Sequence, residues 1–424
     1  MRIQIKNGRV IDPKNSVDSV QDLFIAAGKV LAVGRNPEPF HPNRVIDASN
    51  CIVCPGLIDL SARLREPGLE YKATLESEML AAVSGGITSL ACPPDTDPPL
   101  DEPGLVEMLK HRAKSLNQAR VYPLGALTQG LNGTRITEMA ELHDAGCVAF
   151  SQANAPLSDT NLLMRAMQYA ATFGYTVWLR PQDAYLAQGG VAHDGIVATR
   201  LGLPGIPSCG ETVALSTILL LAKETGASIH LCRLSTFEAV EMVRQAKAQG
   251  LPISCDIAAT HVHLTEMDLG FFDANCNLIP PLRSQRDRDA LRLGLKDGTI
   301  DALCSDHTPV DDDAKLLPFA EAESGATGLE LLLPLTLKWA AEAQISLSRA
   351  LAKITQVPGE ILGVDAGHLT PGHAADICIF NPTRCWKVEP MALKSQGKNT
   401  PFLGVELQGR VNYTLVEGQV VYES

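Results

Sequence analysis

No stretch of the chain reaches the roughly 20 consecutive apolar residues that a membrane-spanning helix requires, which argues against a helical membrane protein. Positive charge is also in deficit. Thirty-six Lys and Arg face 48 Asp and Glu, a net charge of -12, and the pI is about 5.3. That balance disfavours nucleic acid and anionic membrane as partners and favours solubility. A secretory leader core is missing: Met1-Arg2-Ile3-Gln4-Ile5 alternates like a strand, so a cytoplasmic protein is expected. No Gly-x-Ser-x-Gly occurs to support a catalytic triad built on Ser61 or Ser305. There is no repeat of fixed period and no low-complexity tract. Cys51-x-x-Cys54 has no second pair to complete a zinc site. The eleven cysteines, an odd number spread through strand-like segments such as Ile253-Ser254-Cys255-Asp256, read as reduced core residues.

What is present is a chain of 424 residues, more than one compact core usually takes. Both ends read as short strands around turns. Asn7-Gly8 and Ala27-Gly28-Lys29 look like hairpins near the start. Ala375–Phe380 and Val416–Tyr422 look like strands near the end. Between them strands alternate with amphipathic helices, the pattern of parallel βα units. Strands are expected near Leu90 and over Gly146–Phe150, Tyr175–Leu179, Ser228–Cys232, Pro252–Cys255 and Ile300–His307. Helices are expected over Leu162–Ala171, Thr212–Thr225 and Phe237–Gln249. Asp311-Asp312-Asp313-Ala314-Lys315 reads as a solvated loop.

The most specific stretch is Cys54-Pro55-Gly56-Leu57-Ile58-Asp59-Leu60-Ser61-Ala62-Arg63-Leu64-Arg65-Glu66-Pro67-Gly68. It resembles the first barrel strand of the amidohydrolase superfamily, in its dihydroorotase branch. That family reads Pro-Gly-x-Ile-Asp-x-His-x-His-x-Arg-Glu-Pro-Gly there. The resemblance runs from Pro13 to Asn399-Thr400-Pro401-Phe402 and Gly409-Arg410-Val411, and includes Leu369-Thr370-Pro371-Gly372. It implies an α/β fold: a (β/α)8 TIM barrel over residues 54–364, with a small β-sandwich built from both chain ends, residues 1–53 plus 365–424.

The resemblance also implies a metal site at the C-terminal mouth of the barrel. At the matching positions stand Ser61 and Arg63, Gln152 after Phe150, Arg180 and Arg233, with Asp306 alone retained. A guanidinium has no lone pair to give a metal, and a hydrolytic zinc needs at least three donors. No cofactor is therefore expected, Asp306 would be vestigial, and Arg65 and His307 would be vestiges of substrate binding. His261 and His263 form a displaced His-x-His, with His261 at a family position that is not a metal ligand. His230 reads as a core hydrogen-bonding residue and His193 as a loop residue. The expectation drawn is a chain that is not an enzyme. The closest resemblance is to non-catalytic dihydroorotase-like chains that partner the aspartate transcarbamoylase catalytic chain. It implies a self-dimer within a larger hetero-oligomer, serving pyrimidine biosynthesis. Alternatives are a cyclic-amide hydrolase of altered or metal-free chemistry and a sensor of anionic metabolites.

Overall fold

Eight parallel strands roll into a barrel whose seam is closed by loops rather than by a ladder. In the computed structural model, which describes residues 1–424, the strands are Leu57–Asp59, Ile87–Cys92, Arg120–Ala126, Ala149–Ser151, Thr176–Leu179, Ser228–Leu231, Ile253–Ala258 and Ala302–Cys304. They are neighbours in that order, and every pairing is parallel. At the base of the seam, Lys353 and Ile354 wedge between the last strand and the first. Their carbonyls accept from Leu303 N at 3.1 Å and Ile58 N at 2.8 Å. At the mouth the two edges meet directly: Arg63 N donates to His307 O at 2.9 Å and His307 N to Ser61 O at 3.0 Å. Closure thus stitches the loop carrying Ser61 and Arg63 to the one carrying Asp306.

A parallel strand covered on both faces is apolar throughout, and Ile87–Cys92 is buried at every residue. Successive side chains face opposite ways. Leu57, Leu90 and Val177 join the large core between strands and helices. Ile58, Ala91 and Trp178 fill the barrel interior, which Leu362 also enters. Helix ends follow local chemistry. Thr74 and Ser77 form a capping box before Leu75–Ser84. Asp159 caps Thr160–Phe173, which Gly174 ends at φ 73°.

The terminal strands form two further sheets. Ile52–Pro55 pairs antiparallel with Ile377–Lys387 and parallel with Arg9–Asp12, so one six-stranded sheet draws on both chain ends. The other sheet has four strands, all from the first 47 residues. One core of 15 buried residues, including Ile5, Val53 and Ile379, joins the two.

Ala27-Gly28 is a hairpin turn between Leu23–Ala26 and Lys29–Val33. Asn7-Gly8 is not. Arg2–Lys6 pairs with Leu23–Ala26 in one sheet, and Arg9–Asp12 pairs with Val17–Val20 in the other. The left-handed turn at Asn7 carries the chain between sheets, because both strands bury side chains in the core they share. The charged loop is only partly solvated. Asp311, Asp312 and Asp313 are exposed, but Lys315 donates to Ala274 O at 2.9 Å and Asn277 O at 3.3 Å. All eleven cysteines are free; eight are buried as core residues, Cys51 and Cys54 among them, while Cys232 is half-buried and Cys209 and Cys385 are exposed.

Candidate functional site

The barrel mouth holds a cluster of guanidiniums and carboxylates. Arg63 donates from Nε to Asp95 Oδ2 at 2.8 Å, and from Nη1 to Asp306 Oδ1 at 3.3 Å and Thr308 Oγ1 at 3.0 Å. Arg233 reaches Asp306 Oδ1 at 2.9 Å and Asn154 Oδ1 at 2.8 Å. Ser61 Oγ lies 3.4 Å from Asp306 Oδ1. Arg180 differs: it donates to Gln182 Oε1 and, at 3.0 Å, to Asn154 O, and meets no carboxylate. Asp306 is therefore shared by Arg63 and Arg233 and not by Arg180. Asn154 bridges Arg180 and Arg233 instead.

Electrostatics follow this layout. Burial disfavours a charged Asp95, but Arg63, with Arg65 and Arg233 beyond it, holds its carboxyl below the usual range. Burial weakens the charge on Arg63 as well, and its two carboxylates more than restore it. Arg180 lacks such a partner; burial and the neighbouring Arg233 lower it to about 9.

Beneath the cluster, Asp59 accepts from Ser305 N at 2.7 Å, and Asp256 accepts from Arg233 N at 2.7 Å. These carboxylates hold the strand ends where Asp306 and Arg233 take left-handed backbone, φ 49° and 54°. Burial pushes Asp59 up to about 6.

The remaining expected residues lie apart from this cluster or only line it. Gln152 is tied by its amide to Thr128 Oγ1 at 3.0 Å and Leu131 O at 2.8 Å. Arg65 donates to Pro309 O at 2.8 Å and lies 3.9 Å from Glu323. His307 turns away from the mouth. Its Nε2 meets Glu78 Oε2 at 2.6 Å, and its Nδ1 accepts from Gly328 N at 3.1 Å. His261 contacts Pro280 O at 3.0 Å. His263 lies against Leu335 O at 2.9 Å. His230 bonds Ser254 and Asp256, a satisfied core histidine, and His193 meets Arg283 at 3.2 Å. Asp95 and Asn154 are the partners that sequence reading did not assign. Their only signal is position, each just past the end of a barrel strand.

The zinc implied by the resemblance does not fit this mouth. Asp306 and Asp95 are its carboxylates and both are engaged by guanidinium, while Arg63 and Arg233 occupy the volume between the strand ends. Two other groups bring three donor atoms within 4.8 Å: His230, Cys232 and Asp256 inside the barrel, and Asp365, His368 and His373 where the chain returns to the terminal sheets. In the first, both His230 nitrogens are already bonded, and burial holds the Cys232 thiol well above its usual value.

A parallel barrel with strand-rich sheets at its termini is the architecture of the amidohydrolases. An L-hydantoinase (dihydropyrimidinase) from Arthrobacter aurescens superposes with a TM-score of 0.89, covering 99% of this chain and 96% of that one at 26% identity. Residues 50–239 match the family described as Dihydro-orotase-like, and residues 224–422 the Amidohydrolase family. A dihydroorotase-like protein of Pseudomonas aeruginosa is 44% identical over 423 residues, covering 100% of both chains. A dihydroorotase of Geobacter sp. is 40% identical over 424 residues with the same coverage. The chain belongs to the dihydroorotase-like family of amidohydrolases. The expectation that it is not an enzyme is corrected by these relatives: full-length homologues carry the name dihydroorotase, and structural neighbours are hydantoinases. No helix is long and apolar enough to cross a membrane.

Proposed function

We propose that this dihydroorotase-like chain works as a structural partner of the aspartate transcarbamoylase catalytic chain, itself dimeric within a larger hetero-oligomer. The supporting observation is the apolar rim of the barrel mouth. Tyr185 and Ile196 follow the fifth strand, Met267 and Phe271 the seventh, and Leu316 and Leu317 the eighth. Their exposures run from 48% for Leu317 to 96% for Phe271. Exposed apolar patches, where such side chains are contiguous, mark protein contact surfaces. Stable interfaces bury on the order of 1,200 Å² or more, an area that a rim of loops can supply and a single pocket cannot. The ion pairs within the mouth tie the loop after the eighth strand, which carries Leu316 and Leu317, to the loops after the first and sixth. The test is size-exclusion chromatography of the full chain mixed with the transcarbamoylase chain. Co-elution as one large particle supports the role; separate elution at micromolar concentrations refutes it.

Hydrolysis of a cyclic amide is the second reading, favoured by the relatives' names and by the retained Asp306. It requires chemistry without a zinc held at Arg63, Arg180 and Arg233. Turnover of dihydroorotate or a hydantoin, lost in Asp306→Asn, establishes it.

A further inference from the structure

The arginines at the mouth outnumber the carboxylates that answer them. Arg63 and Arg233 share Asp95 and Asp306. Arg65 lies by Glu323. Glu211 is spent on the backbone and hydroxyls of Ser235 and Thr236. Arg180 is left with neutral oxygens only, and its buried Nε has no partner at all.

Arg180 also lines a cavity of about 120 Å³ between the loops after the fourth and fifth strands and the helix Cys209–Thr225. Ser158, Thr160, Gln182 and Tyr185 give it polar walls; Leu163 and Ile218 give it apolar ones. Asp183 is the acidic residue of the lining. Its carboxylate accepts from Tyr185 N at 3.0 Å and Leu186 N at 2.8 Å, so it is engaged by its own loop.

We infer that this cavity is a binding site for a small oxyanion, a carboxylate or phosphate, held by Arg180. A half-buried guanidinium that bonds no carboxylate and leaves its Nε buried and unpartnered is costly, and a planar fork of N–H donors matches the edge of an oxyanion. Size decides the class. Pockets for drug-sized ligands run to roughly 300 Å³ and above, so a nucleotide does not fit and a compact anion does. The inference does not depend on the assembly role: the site binds or fails to bind in the isolated chain.

Isothermal titration of the full-length chain at constant ionic strength tests it, with sodium phosphate, sodium acetate and sodium N-carbamoyl-L-aspartate as probes against a chloride background. One site per chain is expected for at least one probe, and the responding probe distinguishes phosphate from carboxylate. Arg180→Gln should weaken binding by about tenfold or more, the worth of a charged hydrogen bond, and Arg180→Lys by less. Ala214→Leu places bulk in the cavity without touching the arginine and should also abolish binding. The wild-type thermal midpoint should rise with the bound probe relative to chloride. Absence of heat and of stabilisation with every probe at millimolar concentration overturns the inference. So does binding that persists unchanged in folded Arg180→Gln and Ala214→Leu.

Discussion

Asp306→Asn removes the carboxylate that two buried arginines share while keeping the side chain's volume. Arg63 and Arg233 are each 4% exposed, and Asp306 is 14% exposed, so solvent screens the pair little. Breaking a buried pair by deleting one partner costs about 3–5 kcal/mol. Asparagine retains one oxygen to accept from Arg233, which places the loss near 3 kcal/mol. Unfolding entropy of about 2.1 cal/mol/K per residue amounts to roughly 0.9 kcal/mol/K for a chain of this length. The midpoint should therefore fall by about 3 °C, a small but measurable shift. Calorimetry or circular dichroism reads it, and co-elution with the transcarbamoylase chain is then measured on the folded variant. The expected result is a slightly less stable chain that still assembles, because the contact surface is the rim. An unchanged or higher midpoint would show that desolvation cancels the pair's attraction. A folded variant that no longer assembles would show that the ion-paired mouth takes part in the contact.

Protein purified without chelator should carry no stoichiometric metal at the mouth by elemental analysis, since the carboxylates there are bound to guanidinium. Ser61→His combined with Arg63→His should not create a zinc site, because Arg180 and Arg233 remain; zinc uptake at one per chain would contradict this. Glu211→Ala should cost about 3 kcal/mol or more by denaturant titration, because four donors from Ser235 and Thr236 lose one buried carboxylate. His263 is held at about 4 by burial, although Leu335 O and Glu342 oppose the shift. The unfolded chain takes up its proton near 6.5 and the folded chain only near 4, so this contribution to stability is complete above 6.5 and is lost as pH falls across that window. In His263→Gln that part of the pH dependence should disappear from urea midpoints; an identical slope would exclude His263 as its source.

The order of the barrel was legible in the residues themselves. Apolar runs alternating with amphipathic helices mark βα units. Thr176–Leu179 and Ser228–Leu231 fall where Tyr175–Leu179 and Ser228–Cys232 were expected, because alternation and capping act over a few neighbouring residues. The presence of Arg63, Arg180 and Arg233 at strand ends is likewise a property of the sequence. Their partners are not. Asp95 stands 32 positions from Arg63 and Asp306 243; pairing of the first two strands brings Asp95 to Arg63, and closure of the seam between the first and eighth strands brings Asp306. The same closure turns His307 outward to Glu78, 229 positions away, although its place beside Asp306 reads as part of the mouth. Asn7-Gly8 favours a left-handed turn in any context, yet the strands on either side choose different sheets because each buries its side chains in a core that residues from the other end of the chain complete. Arg180's neutral neighbours and the cavity beside it exist only in the folded barrel. Local pattern thus determined which elements form and what chemistry they carry. Tertiary closure decided which charges meet, because the energy of an ion pair depends on distance in space and on burial, neither of which is written in the spacing of residues along the chain.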